Sequence, residues 1–137
     1  MILVDTNVWS ELTRPRPNER VVAFMAANET NTYLSTIVLA EIEFGIAKVP
    51  DPIRSERLLN NRNDIVLRIA ERILQPDFLT ATVWGKLKAG LEGTGVPIPD
   101  FDLLICAQAI AAGMPVVTRN VGHMARTGAV IINPWSA

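Results

Sequence analysis

Cysteine is almost absent: Cys106 stands alone in 137 residues. No intrachain disulfide is possible, so the fold does not depend on an oxidising compartment, and a thiolate zinc site is excluded. Histidine is as scarce, with His123 the only one. That excludes a nuclease using two histidines as acid and base. Aromatic residues make up 6% of the chain, so the core must be mostly aliphatic. No apolar run approaches the ~18 residues of a membrane span, and no basic leader precedes a hydrophobic stretch. The expected location is cytoplasmic, with no membrane partner. An excess of one charge is also missing: 13 basic residues meet 14 acidic ones, for a net charge of -1. Nucleic-acid binding usually goes with a basic excess, so such a partner would need a local basic patch.

What is present is a globular composition, 49% hydrophobic and 20% charged. The length suits a single domain over residues 1–137, with a core that needs no staples. Met1-Ile2-Leu3-Val4 reads as a strand buried on both faces, followed by Asp5-Thr6-Asn7 at the start of a helix. Arg14-Pro15-Arg16-Pro17 breaks that helix, and Pro17 suits the first turn of the next. Thr32 to Ser35 reads as a second strand, and Ser35 or Thr36 can cap a helix through Val38, Ile42 and Ile46. Asp51-Pro52 opens a helix whose weakest part is Asn60 to Asp64, where a kink or pause is expected. Ile73-Leu74 is a third short strand. Asp77 begins a helix reaching about Leu91, stopped by Gly93 and Gly95. Another helix runs from about Phe101 to Ala112, with Gly113 as its stop. Val116-Val117 and Val130-Ile131-Ile132 complete the strands. Strands alternating with helices imply an α/β fold with a mostly parallel central sheet. In open sheets of this kind, sites lie beyond the carboxyl ends of the strands.

Four polar positions stand out against apolar neighbours: Asp5 after the first strand, Glu41 within Ile37-Val38-Leu39-Ala40-Glu41-Ile42, Asp102 before Leu103-Leu104-Ile105-Cys106-Ala107, and Asn120 after Val116-Val117-Thr118-Arg119. Each has an ordinary alternative. Asp5 can be a helix cap, Glu41 a solvated helix residue with Glu43 competing, and Asp102 a first-turn acid with Asp100 the better cap candidate. Asn120 can be turn chemistry. Brought together, the acids would need a cation. Two carboxylates ~4 Å apart repel by about 4 kcal/mol at an effective dielectric near 20. Hard cations such as Mg²⁺ or Mn²⁺ prefer oxygen ligands and remove that cost.

These blocks resemble the PIN-domain family, and within it the VapC-type ribonuclease toxins, especially the FitB-like branch. Met1 to Val8 is similar to its first strand and Asp-Thr-Asn signature. Ser35 to Gly45 is similar to its serine-to-glutamate-to-glycine helix, Pro97 to Ala107 to the segment holding the third acid, and Val116 to Asn120 to the fourth block. Arg14 to Val22 and the ending Asn133-Pro134-Trp135 resemble the FitB-like branch in particular. The similarity spans the whole chain in order. It implies a PIN-like three-layer fold and hydrolysis of RNA phosphodiester bonds by metal-activated water. By position it implies Asp5, Glu41 and Asp102 as metal-binding acids, with Asn120 in place of the fourth acid and Thr118 orienting the metal shell. It also implies a homodimer held inactive by a small antitoxin, whose arginine could enter the acidic pocket.

Asn120 brings an amide oxygen and no charge, leaving three formal negatives, which suits one firmly held divalent ion. Cys106 and Gln108 replace small residues of the family's helix, and Cys106 reads as a buried hydrophobe. His123 reads as a solvated loop residue. Candidate RNA contacts are Arg14, Arg16, Arg20, Lys86, Lys88 and Arg119. Arg54, Arg57, Arg62, Arg68 and Arg72 interleave with acids and read as a solvated face. Trp9, Leu12, Phe44, Ile46 and Val49 could offer the antitoxin an apolar groove, although at least half of them read as core. A response-regulator receiver would want an acidic pair after the first strand and a late lysine, and a haloacid-dehalogenase-type phosphatase an aspartate where Asn7 stands. The remaining rival is a catalytically inactive PIN-like binding module that acts through its antitoxin or DNA-binding partner.

Overall fold

Five short strands pair into one parallel sheet in the computed structural model, which describes residues 1–136. The first, β1 (Ile2–Val4), is buried along its whole length, as a strand covered on both faces must be. It pairs with β2 (Thr32–Ser35) on one side and β4 (Val116–Val117) on the other. Outside these lie β3 (Ile73–Leu74), next to β2, and β5 (Ile131–Ile132), next to β4. The order is therefore β3-β2-β1-β4-β5. The chain moves outward from β1 to β3, then returns to the far side of β1 for β4. Right-handed crossovers put the helices before β3 on one face and those of the return on the other. The reversal makes a crevice beyond the carboxyl ends of β1 and β4, where α/β sheets hold their ligands.

The helices start where local chemistry tells them to. Asp5 precedes α1 (Thr6–Leu12), and Asn18 caps α2 (Glu19–Ala27) by accepting from Arg20 N–H at 2.9 Å. Ser35 Oγ accepts from Ile37 N–H at 3.0 Å and opens α3 (Thr36–Ala47). Asp51 opens α4 (Pro52–Ile69), with Pro52 in the first turn where a missing N–H costs nothing. Asp77 takes both the N–H and the hydroxyl of Thr80 at the head of α5 (Phe78–Glu92). Then come α6 (Asp100–Ala112) and the short α7 (Val121–Met124). Gly113 ends α6 in the left-handed region, at φ 70°, a conformation open to glycine at little cost.

Several expectations need correction. The α4 helix runs unbroken through Asn60 to Asp64, because buried Ile65 and Ile69 anchor its second half to the core. Pro17 lies outside α2, since Asn18 has the side-chain oxygen needed to cap it. Asp100 is not a cap: it is the first residue of α6, after Pro99, and its carboxylate accepts from Lys88 Nζ at 3.1 Å. His123 sits in α7 and not in a loop, exposed as expected.

The core is aliphatic. Leu3, Val4, Val8, Leu34, Val38, Ile105, Val116 and Val117 are fully buried around the sheet, with Trp9 its largest aromatic member. Cys106 is buried among them, and burial pushes its thiol up to about 11. It is a small core residue and not a nucleophile. No helix among the described residues is long and apolar enough to cross a membrane.

Candidate active site

The ladder between β1 and β4 carries Asp5 and Thr118 side by side past the ends of the strands. Asp5 N–H donates to Val117 O at 2.9 Å, and Thr118 N–H to Ile132 O at 3.0 Å. Both residues are buried. Asp5 Oδ1 accepts from Thr6 N–H at 2.8 Å, and Oδ2 accepts from Thr118 Oγ1 at 2.7 Å. A longer bond of 3.3 Å comes from Asn7 Nδ2. Asp5 is thus both the residue that starts α1 and the deepest acid of the crevice. Its place before α1 does not take Asp5 out of the cleft, which it also lines.

The same few residues tie the neighbours together. Thr6 Oγ1 donates to Glu41 Oε1 at 2.7 Å, which draws α3 towards the head of α1. Asn7 Nδ2 also reaches Thr118 Oγ1 at 3.1 Å, and Asn7 Oδ1 accepts from Arg119 N–H at 3.2 Å. Thr118 Oγ1 accepts in turn from Asn120 N–H at 3.0 Å. The loop after β4 is therefore held to the head of α1 by side chains. Asp102, in the first turn of α6, completes the set.

Electrostatics mark the three acids as one group. Burial raises the Asp5 carboxyl above its usual range, against the opposing bonds from Thr118 and Thr6. Burial raises Glu41 too, and the charges of Asp5 and Asp102 push it further up. Asp102 is raised by burial and by Asp5, and His123 offsets part of this. No ion pair to Lys or Arg relieves any of the three among the described residues. They face one cleft of about 850 Å³ without closing on a point. Among the described residues, no three His, Cys, Asp or Glu side chains are drawn together as a metal cage. The donor set still fits a hard divalent cation. It is all oxygen, triply negative and short of positive charge, and Mg²⁺ is commonly held by one or two carboxylates with water filling the rest of its shell.

Of the residues singled out from sequence, Asp5, Glu41, Asp102 and Asn120 all line this cleft, with Thr118 beneath them. Asn120 is exposed, so its amide is within reach of a ligand in the cleft. The competitors fall elsewhere: Glu43 pairs with Arg62 at 3.1 Å and Asp100 with Lys88 at 3.1 Å. Of the proposed RNA contacts, Arg14 and Arg119 line the cleft, whereas Arg16, Arg20, Lys86 and Lys88 do not. Arg20 Nη1 instead donates to Trp135 O at 3.4 Å.

Beyond the acids the cleft runs between α1, α3 and α4, past Ile42, Ile46, Val49, Leu58 and Ile65. Arg54, Arg62 and Lys48 stand at this end, so α4 does not simply present a solvated face. Arg62 is half-buried, and its Nε lacks a partner among the described residues. Phe44 is 66% exposed, with Lys48 over its ring, while Trp9 belongs to the core. The roles of Thr6 and Asn7 as ties were missed from sequence. Their only signal was their place directly after Asp5.

Comparison with known proteins places the fold in a family. Residues 2–129 match the family model described as PIN domain. The chain is 36% identical to the VapC ribonuclease Y4jK of Sinorhizobium fredii, over 98% of each protein. It is 35% identical to the toxin FitB of Neisseria gonorrhoeae, over 98% of this chain and 99% of that protein. The crystal structure of FitAcB from Neisseria gonorrhoeae superposes with a TM-score of 0.90 at 34% identity, covering 100% of both chains.

Proposed function

The chain belongs to the PIN-domain family, and we propose that it is the ribonuclease toxin of a toxin–antitoxin pair, hydrolysing RNA phosphodiester bonds with Mg²⁺ or Mn²⁺. The observation that carries this reading is a group of three acids, one buried and two half-buried, none with an ion-pair partner among the described residues, in one cleft at the reversal point of a parallel sheet. Asp5, Glu41 and Asp102 would hold the ion, with the Asn120 amide as a neutral fourth donor. The chemistry such an ion would supply there is activation of a water and neutralisation of charge on the phosphoryl group. Thr118 and Thr6 keep Asp5 and Glu41 aimed into the cleft and use their lone pairs selectively. Arg119 at the cleft supplies local positive charge that the chain as a whole lacks, whereas Arg14 is already paired with Glu11 at 3.3 Å. RNA as substrate puts the work of the protein in the cytoplasm.

Control by a partner fits the same cleft. Its apolar end can seat an antitoxin segment, and its acidic end can receive a cationic side chain from that segment. Homodimer formation belongs to the same reading, and the exposed Phe78 and Leu79 offer apolar surface for it.

The test is expression of the chain without antitoxin, followed by sequencing of RNA ends, with purified protein assayed in Mn²⁺ and in chelator. New ends that require Mn²⁺ and vanish in Asp5→Asn are expected, and they would also name the RNA. No cleavage by antitoxin-free protein in Mn²⁺ would sink the enzyme reading and leave a binding module.

A further inference from the structure

The ending Asn133-Pro134-Trp135 has no part in the chemistry above, yet it comes back to the mouth of the acidic cleft. Pro134 is buried, and Trp135 packs partly against the core. Its backbone N–H donates to Asn133 Oδ1 at 3.0 Å, and its carbonyl accepts from Arg20. The backbone of Trp135 is thus tied at both its N–H and its carbonyl, while the side chain rests in part on the core. Over its ring, 5.0 Å from the centroid, lies the guanidinium of Arg119. Arg119 itself is exposed, and no ion pair among the described residues claims it. Its backbone is fixed through Asn7, whose amide also touches Asp5. Trp135, Arg119 and the acids all line one cleft.

We propose that the Arg119–Trp135 stack is a platform for an unpaired RNA base next to the phosphate that is cut. This rests on the reading that RNA enters the cleft, and it narrows the substrate to single-stranded segments. A guanidinium is planar and weakly hydrated, and stacks on flat π-systems where an ammonium does not. Bases splayed out of a helix stack on aromatic rings and on arginine planes, whereas bases within an A-form duplex leave no free face. An arginine held over tryptophan has already lost much of its side-chain freedom, so a base that lands on it costs less ordering. An arginine serving only as a phosphate contact would need no ring behind it.

Binding of a short fluorescein-labelled oligoadenylate, compared with an abasic oligonucleotide of equal phosphate count, tests the platform. Ca²⁺ replaces Mg²⁺ so that binding is read apart from cleavage. The wild type should prefer the oligoadenylate by about tenfold, within the range that one stacked base provides. Arg119→Lys keeps the charge and removes the plane. It should cut the preference to about twofold while the slope of affinity against salt stays near that of the wild type. Arg119→Gln should lose the preference and also lower that slope by about 0.7, the share of one phosphate contact. Trp135→Phe, with a flat ring retained, should keep most of the preference. Arg119 is exposed and Trp135 is partly buried on the core, so unchanged melting temperatures will confirm folding of each variant. Full preference in Arg119→Lys, or none in the wild type, overturns the platform. So does a variant that weakens antitoxin binding tenfold and leaves the base preference intact, since the stack is then a protein contact. Cleavage in Mn²⁺ is read separately. Cleavage without base preference removes the platform alone, and base preference without cleavage removes the ribonuclease reading and keeps the platform.

Discussion

The cleft face and the outer face of the same two helices carry the same acids and treat them in opposite ways. On α3, Glu41 turns into the cleft and Glu43 turns out to Arg62. On α6, Asp102 turns in and Asp100 turns out to Lys88. The members of each pair are two residues apart, which is roughly 200° around a helix. The outer acids are themselves exposed and each is paired with a cation, a relief of at most about 1 kcal/mol each. The inner acids have no cation, are desolvated and repel one another. A fold selected only for stability would not gather them. Their cost makes sense if a ligand offsets it, since what binds the native state alone adds its binding free energy to stability.

Four measurements would break or sharpen that contrast. The largest effect belongs to Asp5→Asn, which should lower Mn²⁺-dependent RNA cleavage by ~10³-fold or more, the several kcal/mol that metal assistance supplies. Asp100→Asn on the outer face should change the rate by less than about twofold. Equal losses would erase the distinction between the two faces. Next, Mn²⁺ at ~100 times its Kd should add about 2.7 kcal/mol of stability. Calorimetry should find that gain absent from the Asp5→Asn/Asp102→Asn double variant, and an equal gain there would deny a shared site.

A smaller effect is expected for Thr6→Val, which removes the 2.7 Å bond to Glu41 and leaves every acid in place. Loss of such an orienting partner costs about 10–100-fold in metal affinity, readable by titration calorimetry with Mn²⁺. The smallest concerns pH in chelator. Burial holds Asp102 protonated to higher pH in the folded chain than in the unfolded one. Its contribution to stability is complete below the ordinary carboxylate range and is lost as pH rises through the raised value. Denaturant unfolding should therefore find Asp102→Asn gaining on wild type as pH rises through that window. A gap that stays flat with pH would mean that burial does not act on this carboxyl.

Much of the frame was readable because it is local. The apolar run before Asp5, the cap at Ser35, the first-turn Pro52 and the stop at Gly113 each depend on residues within a turn of one another, and each stands where its chemistry predicts. The break expected between Asn60 and Asp64 failed because poor local helix formers were overruled by Ile65 and Ile69 packing on the core. Resemblance selected Glu41 over Glu43 and Asp102 over Asp100, a choice that composition could not make on apolar helices with acids two apart.

The sequence by itself determined an aliphatic α/β domain without disulfides, the positions of the four polar residues, and the shortage of positive charge that any RNA site must overcome locally. Only the tertiary structure decided which acids share a cleft, that Thr6, Asn7 and Thr118 tie them together, and that Arg119 lies over Trp135 beside them. The physical reason is the reversal of strand order. It lays β4 beside β1 and so brings the residues after each strand, which are far apart in the chain, within one hydrogen bond of each other.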